Sequence, residues 1–183
     1  IGIDIRNIGK KRTGDEVVFL NLVREFARLD SEDEFELFLE DRPNEEIHAI
    51  GDRLGILEKK NFRFRMLPAR NKFDWNAWHV PVSLRAHALD IYHTQYITPF
   101  FVPKKTAIVT HIHDVSFCAY PEYIAPIDRF FLGALLSRSL RRAELIVVPS
   151  VFTRNELMRY YALPKERIRV AWNAVAPEFL VPD

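Results

Sequence analysis

Cysteine is nearly missing from this chain: there is one, Cys118, in 183 residues. A lone thiol rules out an internal disulfide framework and suits a reducing compartment, so a cytoplasmic setting is the expectation. Long apolar runs are also missing. None reaches the roughly 20 residues that span a bilayer, and no cleavable targeting segment is visible at the start. Excess charge of one sign is lacking too, with 26 Lys and Arg against 25 Asp and Glu and a formal net charge of +1. Without a global field, no nucleic-acid partner is expected. Neither a G-x-G-x-x-G nor a Walker lysine occurs, which excludes the dinucleotide-binding and P-loop fingerprints.

What remains is an ordinary globular composition, 48% hydrophobic and 28% charged, long enough to bury a substantial core in one domain. Short apolar runs alternate with helical patterns, the mark of βαβ units around a mostly parallel sheet. Strands are expected at Ile1 to Asn7, Glu34 to Glu40, Asn61 to Met66 (with Arg63 and Arg65 outward), Leu89 to His93, Thr106 to His111, Glu144 to Ser150 and Arg167 to Trp172. The first helix opens at Asp15 and Glu16 and points Phe19, Leu22, Val23, Phe26 and Leu29 at the sheet. Further helices are expected over Glu45 to Leu57, over Asp74 to Ala88 (broken at Pro81), and over Pro126 to Arg142, with Ile127, Phe130, Phe131, Ala134 and Leu135 inward. Gly133 there suggests a close backbone approach. A last helix runs through Tyr161, started by Ser150 as N-cap or by a box at Thr153 to Glu156. The fold class is therefore α/β, a Rossmann-like three-layer α/β/α sandwich over residues 1–172. Residues 173–183 read as the start of a linker into further sequence, and the opening inside a strand likewise points to a piece of a longer chain.

Ligands of open α/β sheets bind at the carboxyl ends of the strands. Four such places carry chemistry: Gly14 with Asp15, His93 with Gln95 and Tyr96, His111 to Asp114, and Ser150 with Thr153 and Arg154. Gly14, before a helix N-terminus, suits an anion or merely a turn. His111 and His113 are two apart, so on a continuing strand they share a face. A zinc site with His93 or Asp114 follows only weakly, because no further histidine comes close after the aspartate, and His111 is better read as a strand-end histidine bonded to a backbone carbonyl. His113 and Asp114 suit sugar hydroxyls better. Ser150 and Thr153 read first as helix caps, and Arg154 as a group that can reach an anion.

The stretches "THIHDVSFCAYPEY", "RRAELIVVPSVFTRNEL" and "LPKERIRVAWNAV" resemble the amino-terminal half of the GT4 family of retaining GT-B glycosyltransferases. The resemblance implies one Rossmann-like half of a GT-B fold, which binds the acceptor, while an absent carboxy-terminal domain holds the nucleotide-sugar. It implies His113 and Asp114 as catalytic residues, and Gly14, Asp15, His93, Gln95, Tyr96, Ser150, Thr153 and Arg154 as substrate-binding ones. The partners implied are a nucleotide-sugar co-substrate and a glycan or lipid-linked acceptor, with no metal and no other cofactor. The family's double glycine is here Thr13-Gly14 followed by two acids, and its Asn-Gly-Val-Asp is Asn173-Ala174-Val175-Ala176. Two other classes compete. A non-catalytic sugar- or membrane-surface module would use Arg138, Arg141 and Arg142 beside Phe130 and Phe131 on the inner face of a membrane. A zinc hydrolase would use His93, His111 and His113.

Overall fold

The computed structural model describes residues 1–10, 14–29, 31–120, 122 and 126–174, and the side chains of all of these except 126–132. Seven strands form one sheet: β1 (Gly2–Asp4), β2 (Phe35–Glu40), β3 (Phe62–Leu67), β4 (Ile91–Gln95), β5 (Ala107–His111), β6 (Leu145–Val148) and β7 (Ile168–Val170). Every pairing is parallel, in the order β3-β2-β1-β4-β5-β6-β7. The order reverses at β1, between β2 and β4, and such a switch point opens a crevice at the carboxyl ends of the strands. The expected Rossmann-like α/β architecture is therefore the observed one.

The helices are α1 (Gly14–Arg28), α2 (Asn44–Leu54), α3 (Lys72–Asp74), α4 (Val80–Ala86), α5 (Ser116–Ala119), α6 (Pro126–Arg142) and α7 (Val151–Tyr161). Local chemistry sets their ends. Asp15 and Glu16 stand in the first turn of α1 and Arg28 in its last, matching the helix dipole. Gly55, at φ 69°, closes α2 in the left-handed region three residues before the expected end. The Ser150 side chain accepts from the Thr153 amide and caps α7, which decides between the two starts considered.

Two apolar cores lie on opposite faces of the sheet. One joins α1 and α2 to β1–β3 through Ile3, Ile5, Phe19, Val23, Leu37 and Leu54. The other joins Trp75, Leu84, Tyr92, Ile108, Leu136, Ile146 and Leu157 beneath α4, α6 and α7. On the face of α1, the strands β4–β6 carry half-buried Ile91, Val109 and Val147, which line an open groove of about 1330 Å³ that runs to Trp172 and Ala174. The helical layer on that face thus covers one half of the sheet.

Several expectations need correction. Leu29 falls just past the end of α1 and is exposed, Leu22 and Phe26 are half-buried, and Leu20 and Ala27 are buried instead. Pro81 does not break its helix. It sits in the first turn of α4, where a missing N–H costs nothing, and the irregularity is a π-helical turn at Trp75–His79 just before it. Arg65 is half-buried against Glu36 (3.0 Å), while Arg63 does point outward. Among the described residues no atom lies within 4 Å of a Cβ built at Gly133, so no close backbone approach explains that glycine. Ala134 is exposed and Leu135 half-buried. The inward placing of Ile127, Phe130 and Phe131, and the linker from 175 to 183, lie outside the described residues. Among the described residues no helix is long and apolar enough to cross a membrane.

Arg138 and Arg142 do not form a free basic face. Arg138 donates to the carbonyls of Thr98, Pro99 and Phe100 and lies 4.7 Å over the Phe100 ring, while Arg142 donates to Pro103 and Thr106 carbonyls. Both hold the loop between β4 and β5. Five carbonyls of an irregular segment thereby gain partners that the sheet cannot supply.

Candidate functional site

The strand-end residues converge on one rim. Ile112 donates to the Val147 carbonyl (2.9 Å), which carries the β5 pairing one residue past His111. His111 and His113 consequently share a face, with ring centroids 4.5 Å apart. His93, on the neighbouring strand, stacks on His111 at 6.2 Å, and Phe19 of α1 packs across the row at 5.1, 5.7 and 6.5 Å from His93, His111 and His113. His113 is the outermost of the three. Its Nε2 comes within 3.6 Å of Asp15 Oδ1, too far for a hydrogen bond, and its backbone carbonyl accepts from Thr153 Oγ1 (3.4 Å).

Burial dominates the electrostatics of this row. Desolvation, helped at His111 by the neighbouring histidines and opposed at His93 by Asp4, lowers His93 to about 4 and His111 to about 3. Desolvation also lowers His113, against the raising pull of Asp15 and Asp114. All three are neutral at pH 7. Neither nitrogen of His111 has a partner, so the expected bond to a backbone carbonyl is not made; ring packing holds it instead. Among the described residues no group of three or more His, Cys, Asp or Glu is arranged to hold a metal ion, which removes the support for a zinc centre on His93, His111 and His113.

Asp114 follows as an exposed residue whose Oδ1 accepts from the Ser116 amide (2.9 Å) and hydroxyl (2.6 Å), fixing the start of α5. Its Oδ2 accepts from the Tyr96 hydroxyl at 3.4 Å. Tyr96 itself has φ 52°, a left-handed backbone that costs a tyrosine of order 1 kcal/mol. That conformation turns the chain at the tip of β4 and brings the phenol over the His113 ring at 5.8 Å. Gln95 accepts from Asn7 Nδ2 (3.3 Å), linking the tips of β4 and β1 across the switch point.

The outlying candidates divide. Gly14 is the exposed first residue of α1, with no described atom within 4 Å of a built Cβ, and it borders the open groove instead of the crevice. Glu16 is buried and accepts from the Gly9 amide and Arg53 (both 3.1 Å), so the helix start already has its own anion. The hydroxyls of Ser150 and Thr153 bond each other (3.0 Å), and the Ser150 one also serves the cap, as the bland reading has it. Arg154 keeps a buried Nε without a partner.

The crevice itself has a volume of about 690 Å³ and reaches from Asp15 and Asp114, past Gln95 and Tyr96, to Phe73 and Phe100. Its floor was not foreseen. Asp4 of β1 is buried, receives a three-bond fork from Arg6 (2.9–3.1 Å), and accepts from Thr94 (3.4 Å). The Arg6 guanidinium lies 4.4 Å over Trp75. Burial opposes its charge, but the field and hydrogen bonds of Asp4 outweigh that and leave Arg6 raised. Two charged residues inside a three-residue strand and its continuation were the available signal. Asn76, from the π-helical turn, lines the same crevice and had no signal at all.

The chain is 32% identical over 119 residues to the O-antigen chain mannosyltransferase B of Escherichia coli, an overlap of 64% of this chain and 28% of that protein. The chain therefore spans a little over a quarter of the curated relative it matches. The pattern of Glycosyltransferase Family 4 matches residues 12–179, nearly the whole sequence, and the chain belongs to that family.

Proposed function

We propose that this chain is the acceptor-binding half of a retaining glycosyltransferase, which moves a hexosyl group from a nucleotide-sugar to a sugar or lipid-linked acceptor. The observation that carries the reading is His113: a neutral imidazole two residues past the end of β5, its Nε2 buried and unpartnered, within 3.6 Å of Asp15 and next in sequence to Asp114, both of which line the crevice. A neutral imidazole both donates and accepts, which suits a sugar hydroxyl. In the transfer, an acceptor oxygen forms a bond to the anomeric carbon, the bond from that carbon to the nucleotide diphosphate breaks, and the acceptor proton leaves with the diphosphate. Retention places the new bond on the face the old one left.

Within that reaction His113 binds the transferred sugar, with Asp114 steadying the Tyr96 phenol beside it. Gln95 and Asp15 line the acceptor side. Gly14, His93, Ser150, Thr153 and Arg154 act from behind: His93 and Thr153 set the His113 ring and carbonyl, and Ser150 orders the turn from which Thr153 reaches. Gly14 leaves room beside Asp15, and the Arg154 guanidinium is available to an anionic group of the donor. The diphosphate is held by a second, carboxy-terminal domain of the same protein, needing neither metal nor other cofactor, and the isolated chain lacks activity. The whole works in the cytoplasm, in peripheral contact with the inner face of a membrane when the acceptor is lipid-linked.

In the full-length enzyme, His113→Ala should lower kcat by about 10²-fold or more, the scale of one lost group acting in the transition state. Its far-UV circular dichroism should match the parent. Turnover within a factor of two of the parent refutes the assignment.

A further inference from the structure

The crevice also has an aromatic wall, and its chemistry is selective. Phe73 is 72% exposed on α3, and its ring lies 5.9 Å from that of Phe100 on the β4–β5 loop. Both are built in. Asn71 caps α3 by accepting from the amides of Phe73 and Asp74 (3.0 and 2.9 Å). Phe100 donates its amide to the Asn76 carbonyl (2.8 Å) while Arg138 covers its ring from the other side at 4.7 Å. Two braced aromatic rings on the wall of a crevice are the kind of apolar lining that small-molecule sites present.

Asn76 sits between this aromatic wall and the strand tips, 5% exposed and lining the crevice. Its Nδ2 donates to the Lys72 carbonyl (2.8 Å), which fixes the amide orientation, and its Oδ1 is left buried without a partner. An orphaned buried carbonyl is costly unless a donor arrives. Donors are what the rest of the lining calls for. Of the lining cations, Arg6 is spent on Asp4 and Lys10 on Glu40, while Lys72 stands exposed at the mouth. Asp15 and Asp114 add carboxylates that no lining cation pairs among the described ion pairs. The interior therefore offers acceptors and no free cation.

Resting on the acceptor reading above, we infer that this crevice takes an uncharged saccharide and discriminates against phosphorylated or carboxylated sugars, with the apolar face of one ring on Phe73 and Phe100 and a hydroxyl donating to Asn76 Oδ1. Hydroxyls satisfy carboxylates and an amide carbonyl by donating, and a dianionic phosphate would meet two carboxylates with only the solvent-exposed Lys72 to receive it. The aromatic wall gives affinity and the acceptor groups give orientation, the usual division in a small-molecule pocket.

Saturation-transfer NMR on the full-length protein without donor, titrated with α-mannotriose and separately with mannose and mannose 6-phosphate as a pair matched in size, tests this. Mannose should bind at least about tenfold more tightly than mannose 6-phosphate. Phe73→Ala should weaken the trisaccharide about three- to tenfold, the scale of one aromatic contact, and Phe73→Trp should restore it; Phe73 is exposed, so neither change threatens the fold. Equal or tighter binding of mannose 6-phosphate overturns the inference, as does trisaccharide binding indifferent to Phe73→Ala, or binding of none of the three sugars. These failures are separable from failure of the transferase reading, which falls only if the His113 variant keeps its turnover.

Discussion

The buried histidine row makes stability depend on pH in a way that can be worked out. In the unfolded chain His93 and His111 titrate near about 6.5, whereas in the fold burial lowers them to about 4 and about 3. Their contribution is fully present above the unfolded value, shrinks as pH falls below it because the unfolded chain then binds protons that the fold refuses, and continues to shrink until the folded values are reached. Between pH 7 and 5.5 each histidine should remove about 1.2 kcal/mol, so the pair should remove about 2–2.5 kcal/mol. His113, lowered for the same cause but opposed by Asp15 and Asp114, adds in the same direction. Urea unfolding followed by tryptophan fluorescence at the two pH values measures the difference. His111→Phe places an apolar ring against Phe19, removes two unpartnered nitrogens, and should cut the pH dependence by nearly half. Equal stability at pH 7 and 5.5, or an undiminished dependence in His111→Phe, would show that these imidazoles are solvated and refute the reasoning.

Two structural predictions accompany it. Ser150→Ala removes the cap that accepts from the Thr153 amide and should cost about 1 kcal/mol in urea unfolding, with Ser150→Asp recovering most of it. Gly2→Ala would put a Cβ 2.7 Å from Leu89 Cδ1 and 3.0 Å from the Phe38 and Tyr92 rings. It should lower stability by about 1–3 kcal/mol, seen as a fall in Tm, and an unchanged Tm would show that the rings give way freely.

Much of the fold was legible because burial on a parallel sheet demands local patterns. Seven apolar runs separated by amphipathic stretches leave few arrangements besides a doubly wound sheet, and all seven strands occur where expected to within a few residues. Where the reading missed, the reason was tertiary. Leu29 continues the apolar spacing of α1 but falls just past the helix end at Arg28 and is exposed, and Pro81 breaks nothing because the preceding residues had already made a π-helical turn.

For the site, sequence alone determined which residues stand at strand tips, and that His111 and His113 share a face if the strand runs on, because strand periodicity is a local property; the Ile112 bond to Val147 supplied that continuation. It also offered Ser150 as one of two possible starts of the last helix, and the structure chose it. Only the tertiary structure decided that β1 lies between β2 and β4, and with it that Asp4 and Arg6 form a crevice floor against Trp75 while Asn76 and Phe73, some seventy residues away in the chain, line the same crevice. Burial and proximity across the sheet are sums over the whole chain. No short window contains them, and the pKa of each histidine follows from that sum.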